Sequence, residues 1–276
     1  LSMNNDVEEG IIEKNEPTKV CPWWAESIPI VLLLIVDVLI CKYYIDPRNV
    51  TWKYPIYSYI FGSLCLVWFV YMITDRTIIG GIGGFYDAYW FCNIGLLLTA
   101  LGAFFSLPTL IGQSMCLLLM PHVSFWIDFI CFPCLKRCVV GAFPFMFDDS
   151  TSFREKVTSY HHFWFFPGLA FLLLGQPPIS ISSFYLSVLL FLLLIILSRY
   201  MTPLEYVNPD GSRRYLNVCC AHEFPEFAKH IQPFKWAIGK PFVVYVSVIF
   251  LFYVVPVNFI SFIVLVLVQK GINSLL

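Results

Sequence analysis

Seven long apolar runs limit what this chain can fold into more than any other feature. They cover approximately residues 24–44, 55–74, 88–106, 108–132, 161–175, 179–198 and 242–268. Most hold the roughly 18 to 25 residues needed to cross a bilayer core about 30 Å thick. Inside hydrocarbon every backbone N–H and C=O must find its partner within the protein, which leaves helices as the solution for runs of this length. The expected fold is therefore all-α: a polytopic integral membrane bundle of about seven transmembrane helices. Composition agrees, with 59% hydrophobic residues, 13% charged residues and a mean hydropathy of +0.76. Soluble domains average about 45 to 50% apolar and about 25% charged. A formal charge of -1 supplies no basic surplus for nucleic acid, so none is expected as a partner.

Two of the runs are irregular. The fourth contains Pro121 and is expected to kink or break there, and the fifth is short; losing either as a span would reverse everything after it. Runs three and four, and runs five and six, are joined by only Leu107-Pro108 and Gln176-Pro177-Pro178, which predicts two antiparallel helical hairpins. Residues 1–22 carry five acidic and two basic side chains and few apolar ones, and are expected to form a disordered cytoplasmic tail. They lack the parts of a cleaved signal peptide, so the first helix is expected to serve as its own insertion signal. A start at Leu1 is read as a trimmed N-terminus. Residues 23–276 then form one transmembrane domain with a cytoplasmic loop at 199–241.

Orientation follows from the basic residues. The tail and the second, fourth and sixth loops carry 13 of the 17 Lys and Arg, and the other connections carry 4. The positive-inside rule puts the first group, and the N-terminus, in the cytoplasm. The sequon Asn49-Val50-Thr51 falls on the opposite side, where glycosylation occurs. Which membrane holds the chain, endomembrane or plasma membrane, is left open. In the sixth loop Asn208-Pro209-Asp210-Gly211 marks a turn. Residues 223–236 interleave aromatic and charged side chains as an interfacial segment does, with Pro225 and Pro233 limiting any helix.

Polar groups inside a membrane cost upward of about 2.5 kcal/mol and ask for a partner or a task. Asp37, Gln113, His122 and Asn258 lie deep, with Asp37 expected to pair inside the bundle, Asn258 being its candidate partner, or to belong to an ion pathway. With seven spans, Asn93, Asp128, His161, His162 and Arg199 fall at one depth, the cytoplasmic interface. A carboxylate, imidazoles and an amide in one layer suit proton transfer on a lipid ester or amide: His as general base, Asp as its orienter, Asn or Arg for an oxyanion. Taken singly, each of these residues more often caps a helix or snorkels.

Ten cysteines raise metal and redox readings. Cys131-Phe-Pro-Cys134 with Cys138, and Cys219-Cys220-Ala-His222, have zinc-ligand chemistry but only one CxxC spacing. Cys131, Cys134 and Cys138 beside Lys136 and Arg137 suit palmitoylation at least as well, and plain free thiols are the leading reading of the cysteines. The His161-His162 pair lacks the repeated histidine boxes of membrane di-iron enzymes. No metal or other cofactor is therefore expected. Gly80-Gly81-Ile82-Gly83-Gly84 precedes a membrane helix rather than following a strand, so it reads as a flexible connector or a close-packing point and not as a phosphate cradle.

The order Trp90-Phe-Cys-Asn93-Ile, Trp126-Ile-Asp128, Phe145-Met-Phe-Asp148, Ser159-Tyr-His-His162-Phe-Trp164, Thr202-Pro203 and Asn217-Val resembles an uncharacterised bacterial family of small multi-pass membrane proteins over about residues 88–220. That family in turn resembles the YwaF-type integral membrane proteins, whose eukaryotic relatives include a cysteine-dependent phospholipid acyltransferase and threonine/histidine lipid-ester hydrolases. The resemblance implies polar residues around Asn93 and His162 and a lipid substrate. His162 keeps the His-x-Trp spacing to Trp164; Cys92, Thr99 and Ser159 are alternative nucleophiles.

The leading expectation is a protein that processes or binds a lipid, by acyl transfer or ester hydrolysis, at the cytoplasmic leaflet. His162, Asp128 and Asn93 are its candidate catalytic residues; Arg199, His161 and Asn217 are candidates for substrate contact. Its partners are membrane lipids and other membrane proteins. Two rivals stay open. Asp37, Gln113, His122 and Asn258 could line a path for a small solute or proton, or the aromatic surface could serve a non-catalytic subunit of a complex.

Overall fold

The structure, a computed structural model, describes residues 23–46, 50–141, 143–149, 151–209, 211–225 and 228–275. The expected tail at 1–22 and Asn49 of the sequon lie outside them. The fold is an all-α membrane bundle. Its helices, in chain order, are α1 (Trp23–Ile40), α2 (Pro55–Gly80), α3 (Ile82–Phe85), α4 (Phe91–Phe105), α5 (Pro108–Leu135), α6 (Phe153–Thr158), α7 (His161–Leu172), α8 (Ile181–Met201), α9 (Phe234–Ala237), α10 (Phe242–Ile249) and α11 (Val255–Leu275). Short π-helical stretches, Cys41–Ile45 and Phe250–Val254, extend α1 and join α10 to α11.

Local chemistry places the breaks. Pro55 and Pro108 open α2 and α5 at the first helical turn, where a missing N–H costs nothing and φ is already helical. Gly81 (φ +60°) closes α2, and Ser106 (φ +54°) closes α4 in the left-handed region, the usual way to end a helix before a reversal. Gly84 permits the turn after α2 to fold back: a Cβ there would collide with the Arg76 carbonyl.

Among the described residues five helices are long and apolar enough to cross a membrane, and the pair Ile82–Tyr89 and Phe91–Phe105, bent by 62° at Trp90, brings the count to six when the two are taken as one span. The expected count of seven is thereby reduced, because the fifth run folds as α7, whose 12 residues span about 18 Å at 1.5 Å per residue. The reversal expected from such a loss does not occur. Tyr57 of α2 donates to the Gly168 carbonyl, and Trp68 to that of Thr158, so α7 still carries the chain antiparallel to α2 across the rest of the bundle. Of the kink or break expected at Pro121, the break does not occur: α5 is one continuous helix through Pro121 and Pro133.

The two ends of the bundle can be told apart by these contacts. At one, which we call the Trp90 end, lie the start of α1, the end of α2, the starts of α4 and α10 and the ends of α5 and α8; Tyr89 Oη donates to the Glu26 carbonyl there. At the other, Asp46 accepts both N–H and Oγ1–H of Thr109, and Gln269 Oε1 accepts the N–H of Ile179. Helices α4 and α5 pack as the expected hairpin. Helices α7 and α8 do not; α7 lies against α2 and α5 while α8 packs on α5 and α11. The sixth loop holds a β-hairpin, β1 (Glu205–Val207) and β2 (Arg213–Tyr215), with Glu205 opposite Tyr215. Its turn is the expected one at residues 208–211, with the Asn208 N–H on the Ser212 carbonyl and Gly211 at φ +84°. Beyond it, among the described residues of the loop, lie a 3-10 turn at Val218–Cys220 and the α-helix α9; Phe224 and Phe234 are buried while Ile231 and Trp236 are exposed.

Candidate functional site

Helix α7 begins inside the bundle, and that start concentrates the polar side chains. Thr158 ends α6 and Tyr160 caps α7, leaving the carbonyls of Thr158 and Ser159 turned toward the first helical turn. His161 Nδ1 lies 2.9 Å from the Thr158 carbonyl and His162 Nδ1 lies 2.7 Å from that of Ser159. On α5, His122 Nδ1 lies 3.0 Å from the Leu118 carbonyl. A carbonyl can only accept, so all three Nδ1 atoms carry the proton and all three Nε2 atoms carry a bare lone pair. Those Nε2 atoms are buried and have no hydrogen-bond partner among the described residues. The residues themselves are 1 to 2% exposed.

The rings also touch. His162 lies 4.1 Å from His161 and 4.7 Å from His122 between ring centroids, and Phe125 and Phe143 cover its remaining faces at 4.9 Å each. Cys92, in the first turn of α4, completes the group: its Sγ and one ring nitrogen each of His161 and His162 lie within 4.8 Å of one another. The Cys92 thiol faces Asn93 Oδ1 at 3.6 Å, and Asn93 Nδ2 donates to the Asp87 carbonyl at 2.6 Å.

A buried ion network braces this arrangement. Asp87, 1% exposed, accepts Arg76 Nη1 at 2.5 Å and Arg214 Nη2 at 2.7 Å. Arg76 Nη2 also donates to Thr158 Oγ1 at 3.0 Å and to Ser159 Oγ at 3.3 Å. The network therefore holds the two residues whose carbonyls orient His161 and His162. Trp126 adds a further tie, donating to the His162 carbonyl at 3.0 Å.

The expected layer is thus divided. Asn93, His161 and His162 come together, joined by Cys92 and by His122, which sequence reasoning assigned to a different path. Asp128 is buried at the end of α5 and accepts the Val140 N–H at 2.7 Å, pinning the loop after that helix. The role of orienting His162 falls to the Ser159 carbonyl instead, because an adjacent backbone oxygen reaches Nδ1 first. Arg199 and Asn217 meet in a second group, around His222. Arg199 Nη1 donates to His222 Nδ1 at 2.8 Å, His222 Nε2–H donates to the Thr202 carbonyl at 2.7 Å, and Asn217 Oδ1 accepts the N–H groups of His222 and Glu223. Burial together with the nearby guanidinium lowers the His222 pKa from its ordinary value.

Arg76, Asp87 and Arg214 were not singled out in the sequence. Only the apolar neighbours of Asp87 hinted that its charge needed a buried partner. The deep polar residues expected to form a path are only partly satisfied: Asp37 meets Gln113 rather than the expected Asn258, and Gln113 Oε1, His122 Nε2 and Asn258 Oδ1 have no hydrogen-bond partner among the described residues. Asp37 Oδ2 accepts Gln113 Nε2 at 2.7 Å, and Asn258 donates to Val254 of its own helix at 2.8 Å. The two cysteine groups read as weak zinc sites are not assembled: Cys134 is exposed, and Cys219 Sγ donates to the Tyr89 carbonyl. No family model, curated protein or solved structure matches the chain.

Proposed function

We propose that this chain processes a membrane lipid at the Trp90 end of the bundle, cleaving or transferring an acyl group at the cytoplasmic leaflet. His161 and His162 supply basic nitrogens to the reacting centre, and Cys92 with Asn93 lies beside them. The observation that carries the reading is the set of bare Nε2 atoms gathered next to a thiol inside an apolar bundle. Unpaired polar atoms of this kind cost about 1 to 3 kcal/mol each when buried, and such a cost is typical of sites built for chemistry rather than for packing. The surroundings suit an acyl chain: Phe129 and Phe163 are partly exposed on the flank of the site and lie 4.7 Å apart between centroids. A cytoplasmic position for this end, and for the N-terminus, is supported by the 13 basic residues in the segments that lead into or out of it.

The test is turnover in lipid. Protein reconstituted into phosphatidylcholine vesicles with a fluorescent diacyl phospholipid should release or transfer labelled acyl chains, and His162→Ala should abolish this while eluting as a monodisperse folded protein. Turnover that survives the substitution, or that falls only in proportion to folded protein, refutes the proposal.

A further inference from the structure

We infer that Cys92, His161 and His162 form a binding site for a thiolate- and imidazole-liganded divalent ion of the zinc type. Four independent features of the group point to a metal. The first is the donor set, one sulfur and two imidazole nitrogens within 4.8 Å of one another. Around a tetrahedral zinc the ligand atoms stand about 3.4 Å apart, from metal distances of about 2.3 Å to sulfur and about 2.0 to 2.1 Å to nitrogen. Rotamer adjustments of the order of an ångström therefore close the site.

The second feature is tautomer control. Metal-bound histidines nearly always donate their other ring N–H to a carbonyl or carboxylate, which fixes the ring and leaves the ligating lone pair free. Thr158 and Ser159 do this for His161 and His162. The third is the unmet demand: both Nε2 atoms are buried without a partner among the described residues, whereas a histidine serving only the core would be expected to use both nitrogens. The fourth is support behind the ligands. Arg76, held by Asp87, fixes the residues bearing the two carbonyls.

Charge bookkeeping favours one kind of ion. Zn²⁺ with the Cys92 thiolate and one hydroxide in the open fourth position is neutral overall, which an apolar interior tolerates far better than a net charge. Loading releases the thiol proton of Cys92 to solvent. Three protein ligands with an open position are the arrangement of catalytic rather than structural zinc. In that state the bound hydroxide would be the nucleophile: its oxygen would attach to the ester acyl carbon, the ester C–O bond would break, and its one proton would pass to the departing alkoxide, leaving a carboxylate and an alcohol. This role rests on the lipid reading above; the binding of the ion does not. His122, against His162, brings a third bare nitrogen to the rim of the site.

The experiment is metal analysis of full-length protein purified in mild detergent. The wild type should carry zinc at close to one per chain, and Cys92→Ser, His161→Gln and His162→Gln should each lower retention at least tenfold, while Cys134→Ser, an exposed thiol, should not. X-ray absorption of the zinc-loaded wild type should show one sulfur and two nitrogens, and cobalt exchange should produce a thiolate charge-transfer band, so that the conclusion holds even where a variant folds poorly. Zinc retention no greater in the wild type than in Cys92→Ser, or a zinc shell without sulfur, overturns the inference. Metal bound as expected without lipid turnover would sink the lipid reading and leave the site standing; turnover undiminished after stripping the metal would sink the ion's role as the source of the nucleophile and leave its binding and the lipid reading standing.

Discussion

Asp87 offers the sharpest test of how this bundle is held together. Substituting Asn removes the single carboxylate that lies between two guanidinium groups, 2.5 Å from Arg76 and 2.7 Å from Arg214. Removing one partner of a buried ion pair costs about 3 to 5 kcal/mol, because the remaining charge is stranded. Two features soften the loss here. The Arg76 and Arg214 side chains keep 13% and 21% of their exposure, and Arg214 retains Glu155 at 3.7 Å. We therefore take about 3 kcal/mol, a little over a hundredfold in the folded ratio at 1.4 kcal/mol per decade. With about 2 to 4 °C lost per kcal/mol for a chain of this size, Asp87→Asn should lower the melting temperature by about 6 to 12 °C. Fluorescence-detected size-exclusion after heating in detergent reads this directly. Because the stranded cation causes most of the cost, Arg76→Met combined with Asp87→Asn should be less damaging than the sum of the two changes. A single-variant shift under about 2 °C, or strict additivity, would refute the reasoning.

Three further outcomes follow from the same geometry. Gly84→Ala should destabilise by about 1 to 3 kcal/mol in the same assay, because the new methyl meets the fixed Arg76 backbone rather than a movable side chain; a neutral result would mean that α2 and α3 can separate freely. Gln113→Leu should cost about 1.5 to 3 kcal/mol by removing the hydrogen bond to the buried Asp37 carboxyl, and Asp37→Asn in the Gln113→Leu background should recover part of it, a recovery whose absence would count against the pairing. The sixth loop should open in acid. The His222 pKa lies below its ordinary value of 6.5, so the unfolded loop takes up a proton first and stability falls as pH drops through and below that value. Lys229 and Tyr215 hydrogen bonds hold the Glu223 carboxyl below its ordinary value, so a second loss follows as pH falls through the carboxylate range. Proteolysis of residues 199–241 should accelerate between pH 7.5 and 5.5, and His222→Gln should flatten that change; protection in acid would show the sign to be wrong.

The membrane bundle itself was legible in the sequence because hydrocarbon admits so few backbone solutions. Apolar runs of sufficient length must become helices, and Pro55, Pro108 and the turn at residues 208–211 act through the chain's own φ preferences, so local reading placed them well. The hairpin of α4 and α5 was equally local. Depth alone also brought His161, His162 and Asn93 to one end.

Depth does not, however, specify azimuth, and azimuth decides which side chains meet. His122 and Cys92 join the histidine pair, while Asp128 turns to Val140 and Arg199 to His222, because helix packing rotates each side chain toward or away from the bundle axis. Likewise the 12-residue α7, too short to be counted as a span, runs antiparallel to α2 from a first turn seated inside the protein. The same seating buries the bare nitrogens of His161 and His162. Sequence by itself determined that this chain lies in a membrane as helices, since solvent and backbone demand it of any such composition; tertiary packing alone decided that a thiol and imidazoles from three helices face one another, since only contact between distant segments can align lone pairs.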